Sequence, residues 1–304
     1  MAISMSEDIE KKHDALALLR KLEWRVRDSA DSVLGGDYRS AFRGRGREFD
    51  QVVRYEWGDD VRDIDWNVTA RLGEPYRKKY IEEREMTMVL VIEDAVSLQF
   101  GSGGKTKREA LLEIAGLLGL LCAANRDRLG IVHATPEGYS MREPVRGRRA
   151  IMHAMAGLMA GTKPKLFHES PSLQVPWKEL SHTLPKHTLL LWLSDFTPKG
   201  NPEGWQILKQ RFQLLGFRVD DPWERELPHV GTVTAYDPLS AELVYLDTED
   251  NENRAEHAAW CQHRENFFKE LFPDPLSRCA VLTEESVLEA MLNFFRARMK
   301  LITH

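Results

Sequence analysis

The sequence predicts an α/β protein built around a doubly wound, mostly parallel sheet. Three apolar runs of strand length, at 87–93, 128–134 and 187–195, alternate with helical stretches. The runs are apolar on both faces, as strands are when helices cover a parallel sheet on each side. Repeated strand, helix, strand units take a right-handed crossover. Ligands of such sheets bind beyond the carboxyl ends of the strands, so function is sought in the loops that follow each run.

Helices are expected between and after these strands. The segment at 106–125 is apolar nearly all round, and 147–160 has helical periodicity. The remaining expected elements are helices at 203–215, 252–271 and 284–300, a strand pair at 230–236 and 241–247 that turns at Asp237-Pro238, and a short strand RCAVL.

The first 85 residues differ from the rest in their pattern of apolar and polar residues. Residues 6–30 follow helical periodicity, whereas 40–85 hold short alternating segments that are typical of half-exposed strands. We therefore expect an N-terminal helix and small β-rich subdomain at 1–85, an α/β domain at 86–250, and a C-terminal helical segment at 251–304 that packs on the body.

Composition excludes several classes of protein. The chain has 304 residues, is 42% hydrophobic and carries a formal charge of −5 with acidic and basic residues interspersed, so no nucleic-acid partner is expected. Its three cysteines follow no metal-binding spacing, which favours a reducing compartment and a cytoplasmic location. We expect no signal peptide and no membrane insertion, because no stretch reaches the roughly 18 apolar residues of a membrane span.

One segment carries a resemblance to a known family. The run GRGREFDQVVRYEWGDDVRDIDWNVTAR is similar to the signature of the bacterial domain-of-unknown-function family fifty-eight, and FGSGGKTK, DRLGIV, LSDF and DDPWERELP follow in the family's order. The signature residues are Gly44, Arg54, Tyr55, Gly58, Asp59, Asp60, Arg62, Asp65, Trp66 and Arg71. From the residues alone, we expect these charges to pair around a buried Trp66 and to clamp the subdomain to the sheet.

The resemblance implies both a fold and a role. Members of this family resemble von Willebrand factor type A domains and are commonly encoded beside MoxR-type AAA+ ATPases. The implied function is that of a non-enzymatic adaptor that binds such an ATPase, a client protein, or both, during protein assembly or remodelling. The expected contact surface is the sheet top at 94–104, the 160s and 195–200, with Gly101, Lys105, Trp223 and Glu224 as candidate contacts.

The same resemblance implies a position for a metal site. Type A domains of the metal-binding kind hold Mg²⁺ with an Asp-x-Ser-x-Ser loop, a Thr and a further Asp, since this ion takes hard oxygen ligands. The aligned residues are Glu93, Ala95, Ser97, Thr162 and Asp195. Ala95 has no ligand atom and Glu93 is longer by one methylene. We expect a degenerate site used as a binding surface, with Asp195 as a helix cap or loop residue, and leave Mg²⁺ or Mn²⁺ binding open.

A metal- or nucleotide-dependent enzyme is the alternative. The FGSGGKT segment lies between a strand and a helix, as a phosphate-binding loop does, but the motif requires glycine where Gln99 stands. Thr106 is expected instead to cap the following helix, and His133 to be a satisfied imidazole on an apolar strand.

Overall fold

The structure is a computed structural model that describes residues 15–23, 49–80, 85–165, 173–237, 240 and 242–302. The helices are α1 (15–23), α2 (Trp66–Leu72), α3 (Lys107–Ala124), α4 (Arg148–Met159), α5 (Trp177–Thr183), α6 (Trp205–Arg211), α7 (Pro222–Arg225), α8 (Asn251–Leu271) and α9 (Val287–Ile302). The strands are β1 (Phe49–Arg54), β2 (Tyr76–Tyr80), β3 (Thr87–Glu93), β4 (Arg128–Thr135), β5 (Gly138–Arg146), β6 (Leu189–Ser194), β7 (Gln213–Asp220), β8 (Thr232–Asp237), β9 (Glu242–Asp247) and β10 (Arg278–Leu282). Within the described ranges, no helix combines the length and apolar character that crossing a bilayer requires.

Six strands form the central sheet, in the order β10-β7-β6-β3-β4-β5. All neighbouring pairs are parallel except β4 and β5, and β3 lies at the centre, where Val91 pairs with Val132 on one side and Trp192 on the other. Numbered along the chain, the strands follow the doubly wound order 3-2-1-4-5-6. The α/β fold with a largely parallel sheet is therefore confirmed.

The sheet separates two hydrophobic cores. Alternate residues of β3 point to opposite faces, so that Leu90 packs with α3, α4 and α9 while Val91 packs with α5, α6 and α8. The second core is largely aromatic: Trp192 lies 4.7 Å from Trp177 and 5.7 Å from Trp205, measured between ring centroids. Both faces of the sheet are thus covered, as the apolar strands predict.

Strand β7 corrects one expectation. The helix expected at 203–215 ends at Arg211, and residues 213–220 form an eight-residue strand buried between β6 and β10. Burial on both faces overrides the weak helical preference of this segment. Gly216 is required there, because a Cβ atom at this position would lie 2.4 Å from the Phe272 ring and 2.8 Å from the Phe268 ring.

Other elements were not expected from the sequence. Strand β5 forms the antiparallel edge of the sheet and is largely exposed, so it lacks an apolar signal. Helices α2 and α5 have seven residues each, too few for a clear period.

The strand pairs β1–β2 and β8–β9 confirm the predicted strand segments. Most of the helix expected at 6–30, and residue 238 of the expected turn, lie outside the described residues. The three-part domain division stays a prediction.

Substitution of Gly216 tests the packing of β7 against α8. Gly216→Ala should lower the free energy of unfolding by about 1–3 kcal/mol, because the new methyl group overpacks the aromatic core. Gly200→Ala is the matched control, since a Cβ atom there meets nothing within 4 Å. Urea unfolding followed by tryptophan fluorescence measures both, and equal stability of the two variants would contradict this packing.

Candidate functional site

The candidate site lies where β3 and β6 end side by side. The connections of these two strands leave in opposite directions, which makes this the switch point at which doubly wound sheets bind ligands. Ser97 lies in a short 3-10 turn after β3, Asp195 directly follows β6, and Lys107 is the first residue of α3. A capping box formed by Thr106 and Glu109 fixes the start of α3, as expected for Thr106, and so fixes the position of Lys107.

A buried ammonium occupies the centre of this site. The Lys107 side chain is 1% exposed, and its Nζ lies 3.1 Å from Asp195 Oδ2 and 2.5 Å from Glu224 Oε1. The Ser97 hydroxyl donates a second hydrogen bond to Asp195 Oδ2 at 2.5 Å. Asp195 is therefore a loop residue, as expected, but its role is to bind a lysine and a serine rather than to cap a helix.

The charges at this centre stabilise one another. Burial alone would raise the pKa of Asp195, but Lys107, the Ser97 hydroxyl and Arg264 together hold that pKa well below its ordinary value. Burial alone would lower the pKa of Lys107, but Asp195 and Glu224 raise it above its ordinary value. Both groups are thus charged in the folded protein near neutral pH.

The ion pairs continue from Glu224 into the turn after β7. Arg264 of α8 pairs with Glu224 at 3.0 Å and with Asp220, and Asp220 also binds Arg218 and Arg225. Arg218 in turn pairs with Glu265 at 2.6 Å. These residues form the Lys107 network, with four carboxylates balanced by four cations: Asp195, Asp220, Glu224, Glu265, Lys107, Arg218, Arg225 and Arg264.

Asp221 fastens the same turn to two other segments. Its carboxylate accepts from the backbone N–H of Ser102 at 2.9 Å and from the Thr283 hydroxyl at 3.1 Å. It also caps α7 by accepting from the N–H of Trp223 at 3.0 Å, and Glu224 reciprocates at the Asp221 N–H. The DDPWER segment is thereby tied to the loop before α3 and to the residue after β10.

A second buried cluster lies at the end of β3. Asp94 binds Arg108 at 2.8–2.9 Å, and its Oδ2 is 3.0 Å from Nε2 of His133. Burial alone would raise the pKa of Asp94, yet the contacts with His133 and Arg108 lower it overall. His133 is therefore a partnered imidazole, as the sequence indicates.

The predicted metal-ligand set is only partly brought together. Ser97 and Asp195 are in contact, but Glu93 binds the Ser194 hydroxyl at 2.8 Å and Lys199 at 2.6 Å. Thr162 is exposed, and no group of three or more His, Cys, Asp or Glu suited to a metal ion occurs in the described ranges. A divalent cation does not fit beside Asp195 while the Lys107 ammonium lies 3.1 Å from its carboxylate. The metal assignment stays a prediction that this geometry disfavours.

Two of the four partner-contact candidates, Lys105 and Trp223, line one cleft. A depression of about 260 Å³ is lined by the loop before α3, the turn after β7 and the residues after β10. This sheet-top cleft is formed by Ser102, Gly103, Gly104, Lys105, Pro222, Trp223, Thr283 and Glu284. Trp223 also packs against Phe100 with 6.5 Å between ring centroids. Gly101 and Glu224 are not among the lining residues, and the Glu224 carboxylate pairs with Lys107 and Arg264.

The loop before α3 lacks a free lysine for a phosphate. Lys105 Nζ binds Glu113 of α3 at 2.5 Å. Gly101 packs closely on this loop, since a Cβ atom there would lie 2.5 Å from the Lys105 carbonyl oxygen. Both residues therefore shape the loop.

The family signature is organised within its own segment. Asp59 pairs with Arg77 at 2.5 Å, Asp60 with Arg62, and Arg54 with Glu74, while Asp65 caps α2. Tyr55 donates to the Asp59 carbonyl, and Gly58 has a left-handed φ of 108°. The expectation of a buried Trp66 is wrong, because this side chain is 69% exposed. Arg71 lies in the last turn of α2, and Gly44 lies outside the described residues.

Sequence reasoning does not identify Lys107, Arg108 or Arg264 as site residues. One signal was available, because Lys107 and Arg108 begin a helix that is otherwise apolar nearly all round, and a charge buried there needs a partner. The partners themselves are distant in sequence: Glu224 lies 117 residues from Lys107.

Comparison with known proteins identifies relatives of this chain. A family model described as "Protein of unknown function DUF58" matches residues 51–266. The uncharacterized proteins Mb1516 of Mycobacterium bovis and Rv1480 of Mycobacterium tuberculosis are each 32% identical over 228 residues, which make up 74% of this chain and 71% of theirs.

Two solved structures are similar at a lower level. The conserved hypothetical protein BatB from Bacteroides thetaiotaomicron has a TM-score of 0.40 and 8% identity, over 72% of this chain and 98% of that one. The pilus adhesin SpaC from Lactobacillus rhamnosus GG has a TM-score of 0.40 and 8% identity, over 73% of this chain and 31% of that one. Both TM-scores are too low to identify the fold.

Replacement of Asp195 tests the charge balance of the site. Asp195→Asn should lower the free energy of unfolding near pH 7 by about 3–5 kcal/mol, because it leaves the Lys107 ammonium buried with one balancing charge removed. The control is Glu203→Gln, since the Glu203 carboxylate is exposed and 3.9 Å from its cation; its effect should stay below about 1 kcal/mol. Urea unfolding measures both, and similar small losses would contradict the assigned role.

The pH dependence of the same pair gives a further prediction. Folding depresses the pKa of Asp195 below its ordinary value of 3.8. The ionised carboxylate therefore stabilises the fold at any pH above 3.8, and this stabilisation is lost progressively as the pH falls below 3.8. The stability difference between wild type and Asp195→Asn should therefore stay constant from about pH 7 to pH 5 and shrink below about pH 3.8. A difference unchanged down to about pH 3 would contradict the depressed pKa.

Proposed function

Since the chain belongs to the DUF58 family, we propose that it is a non-enzymatic adaptor that binds other proteins through its sheet top. The main observation in support is that the acidic residues at this end of the sheet are paired with the chain's own cations and hydrogen-bond donors. Glu93 binds Lys199, Asp94 binds Arg108, and Asp195 binds Lys107. Groups committed in this way hold the loops in place and are poorly suited to acid–base or metal chemistry.

The proposed architecture is von Willebrand factor type A-like. The strand order 3-2-1-4-5-6 with an antiparallel edge strand supports it, as does the position of Ser97 and Asp195 at the switch point. What differs from a metal-binding type A domain is the occupant of the site, which here is a lysine side chain.

The proposed docking surface is the sheet-top cleft. Its walls come from three separate segments that Asp221 holds together, so a partner would meet a preformed surface. Trp223 is half-buried there and presents a rigid aromatic edge of the kind that anchors protein interfaces. By family resemblance, we propose a MoxR-type AAA+ ATPase as the partner, acting with this chain on a client protein in the cytoplasm.

The alternative is an enzyme that uses the same loops with a nucleotide or metal ion. It has one observation in its favour, the position of Lys105 in a glycine-rich loop between β3 and α3. Phosphate release by the isolated chain that Lys105→Ala abolishes would support the enzyme. The pairing of Lys105 with Glu113 favours the adaptor.

Filling the cleft tests the docking surface directly. A Cβ atom at Gly103 meets nothing within 4 Å and the residue has no left-handed φ, so Gly103→Arg should leave stability unchanged. The long side chain would obstruct the cleft and should weaken capture of the MoxR-type ATPase from the same genome by at least about tenfold, which corresponds to about 1.4 kcal/mol. Biolayer interferometry with purified proteins measures the affinity.

The matched control is Ser140→Arg. Ser140 is exposed on β5, at the opposite edge of the sheet from the strands next to the cleft. Its replacement introduces the same arginine side chain away from the cleft. It should bind the ATPase as wild type does. Equal affinities of the two variants would exclude this cleft as the contact, and absence of binding by the wild type would refute the proposed partner.

A further inference from the structure

Three oxygen-bearing side chains lie next to one another at the switch point of the sheet. Asp195 Oδ2 and Glu224 Oε1 both contact Lys107 Nζ, and the Ser97 hydroxyl bonds to the same Asp195 oxygen. Carboxylates and hydroxyls are the hard ligands that Mg²⁺ and Mn²⁺ take in proteins. The arrangement is thus suited to a cation, and the cation present is an ammonium covalently attached to α3.

The ammonium is fixed in position by its helix and by its burial. Lys107 begins α3 directly after the Thr106 capping box, and its side chain is fully buried. Turning it away would leave the buried Asp195 and the half-buried Glu224 without this balancing charge, which is strongly unfavourable. A divalent ion therefore has to displace a bound cation before it reaches these oxygens.

The same ammonium also joins two parts of the sheet top. Asp195 belongs to the loop after β6, whereas Glu224 belongs to α7 in the turn after β7. Lys107 contacts both, and so ties the wall of the cleft that carries Trp223 to the loop after β6, while Arg264 also pairs with Glu224.

We propose that Lys107 is a built-in substitute for a divalent cation, which makes the sheet top independent of metal. The inference rests on the proposed docking function and explains how that surface is assembled without an ion. It further implies a latent metal site: removing the lysine side chain leaves Asp195, Glu224 and Ser97 facing an empty volume with an unbalanced negative charge, into which Mn²⁺ or Mg²⁺ can bind.

The test compares Lys107→Ala with Lys105→Ala in the full chain after EDTA treatment. Both remove one lysine from the same segment, but Lys105 contacts Glu113 and lies outside the network. Calorimetric titration with Mn²⁺ should show no binding to the wild type or to Lys105→Ala, and binding to Lys107→Ala. The melting temperature of Lys107→Ala in EDTA should be about 5–10 °C below that of the wild type and should rise with Mn²⁺. The double variant Lys107→Ala/Asp195→Asn should show no Mn²⁺ response.

Two results would overturn the proposal. One is Mn²⁺ binding by the wild type that Asp195→Asn abolishes, and the other is a Lys107→Ala protein as stable as the wild type in EDTA. If Lys107→Ala does not fold, the wild-type titration decides alone, with absence of binding in support and Asp195-dependent binding against. The Mn²⁺ titration contains no partner protein, so it does not depend on the adaptor proposal. Failure of the adaptor proposal would appear only in the ATPase binding assay.

Discussion

The contact of the Lys107 ammonium with Asp195 and Glu224 is the interaction on which the sheet top depends. It brings together the first turn of α3, the loop after β6 and the turn after β7, three segments that are far apart in the chain. A buried ion pair is costly to assemble and adds little net stability compared with apolar packing. Its value here is positional, because an unpaired carboxylate at this depth would be strongly unfavourable and alternative loop arrangements are thereby excluded.

The apolar cores and the buried ion pairs have different roles in the fold. The apolar cores on either face of the sheet, where helices pack against the strands, supply most of the driving force for folding. The ion pairs lie at the carboxyl ends of those strands and specify how the loops sit. The segment at 49–80 contains its own ion pairs and leaves Trp57 and Trp66 exposed.

Much of the fold could be predicted from the sequence, and the family assignment is confirmed by the match over residues 51–266. Strands β3, β4 and β6 were evident because continuous apolar runs of that length are typical of buried parallel strands. Strand β7 was expected only as a short extended piece, because its first hydrophobic residues continue the pattern of the preceding helix, whereas the structure has an eight-residue strand. Strand β5 was missed because an exposed edge strand has no apolar face to detect.

The site was harder to predict than the fold. Asp195 and Ser97 were nominated because the family resemblance aligns them with the metal ligands of type A domains, and the structure places them in contact. Lys107 could not be assigned, since a lysine in the first turn of a helix is normally solvated and its partner Glu224 is distant in sequence. The most direct test of the account is a crystal structure of the wild type grown with Mn²⁺, with anomalous data collected near the manganese edge. Lys107 Nζ should contact both carboxylates, and no anomalous peak should lie beside Asp195. A manganese peak bound by Asp195 and Ser97, with the lysine turned away, would contradict it.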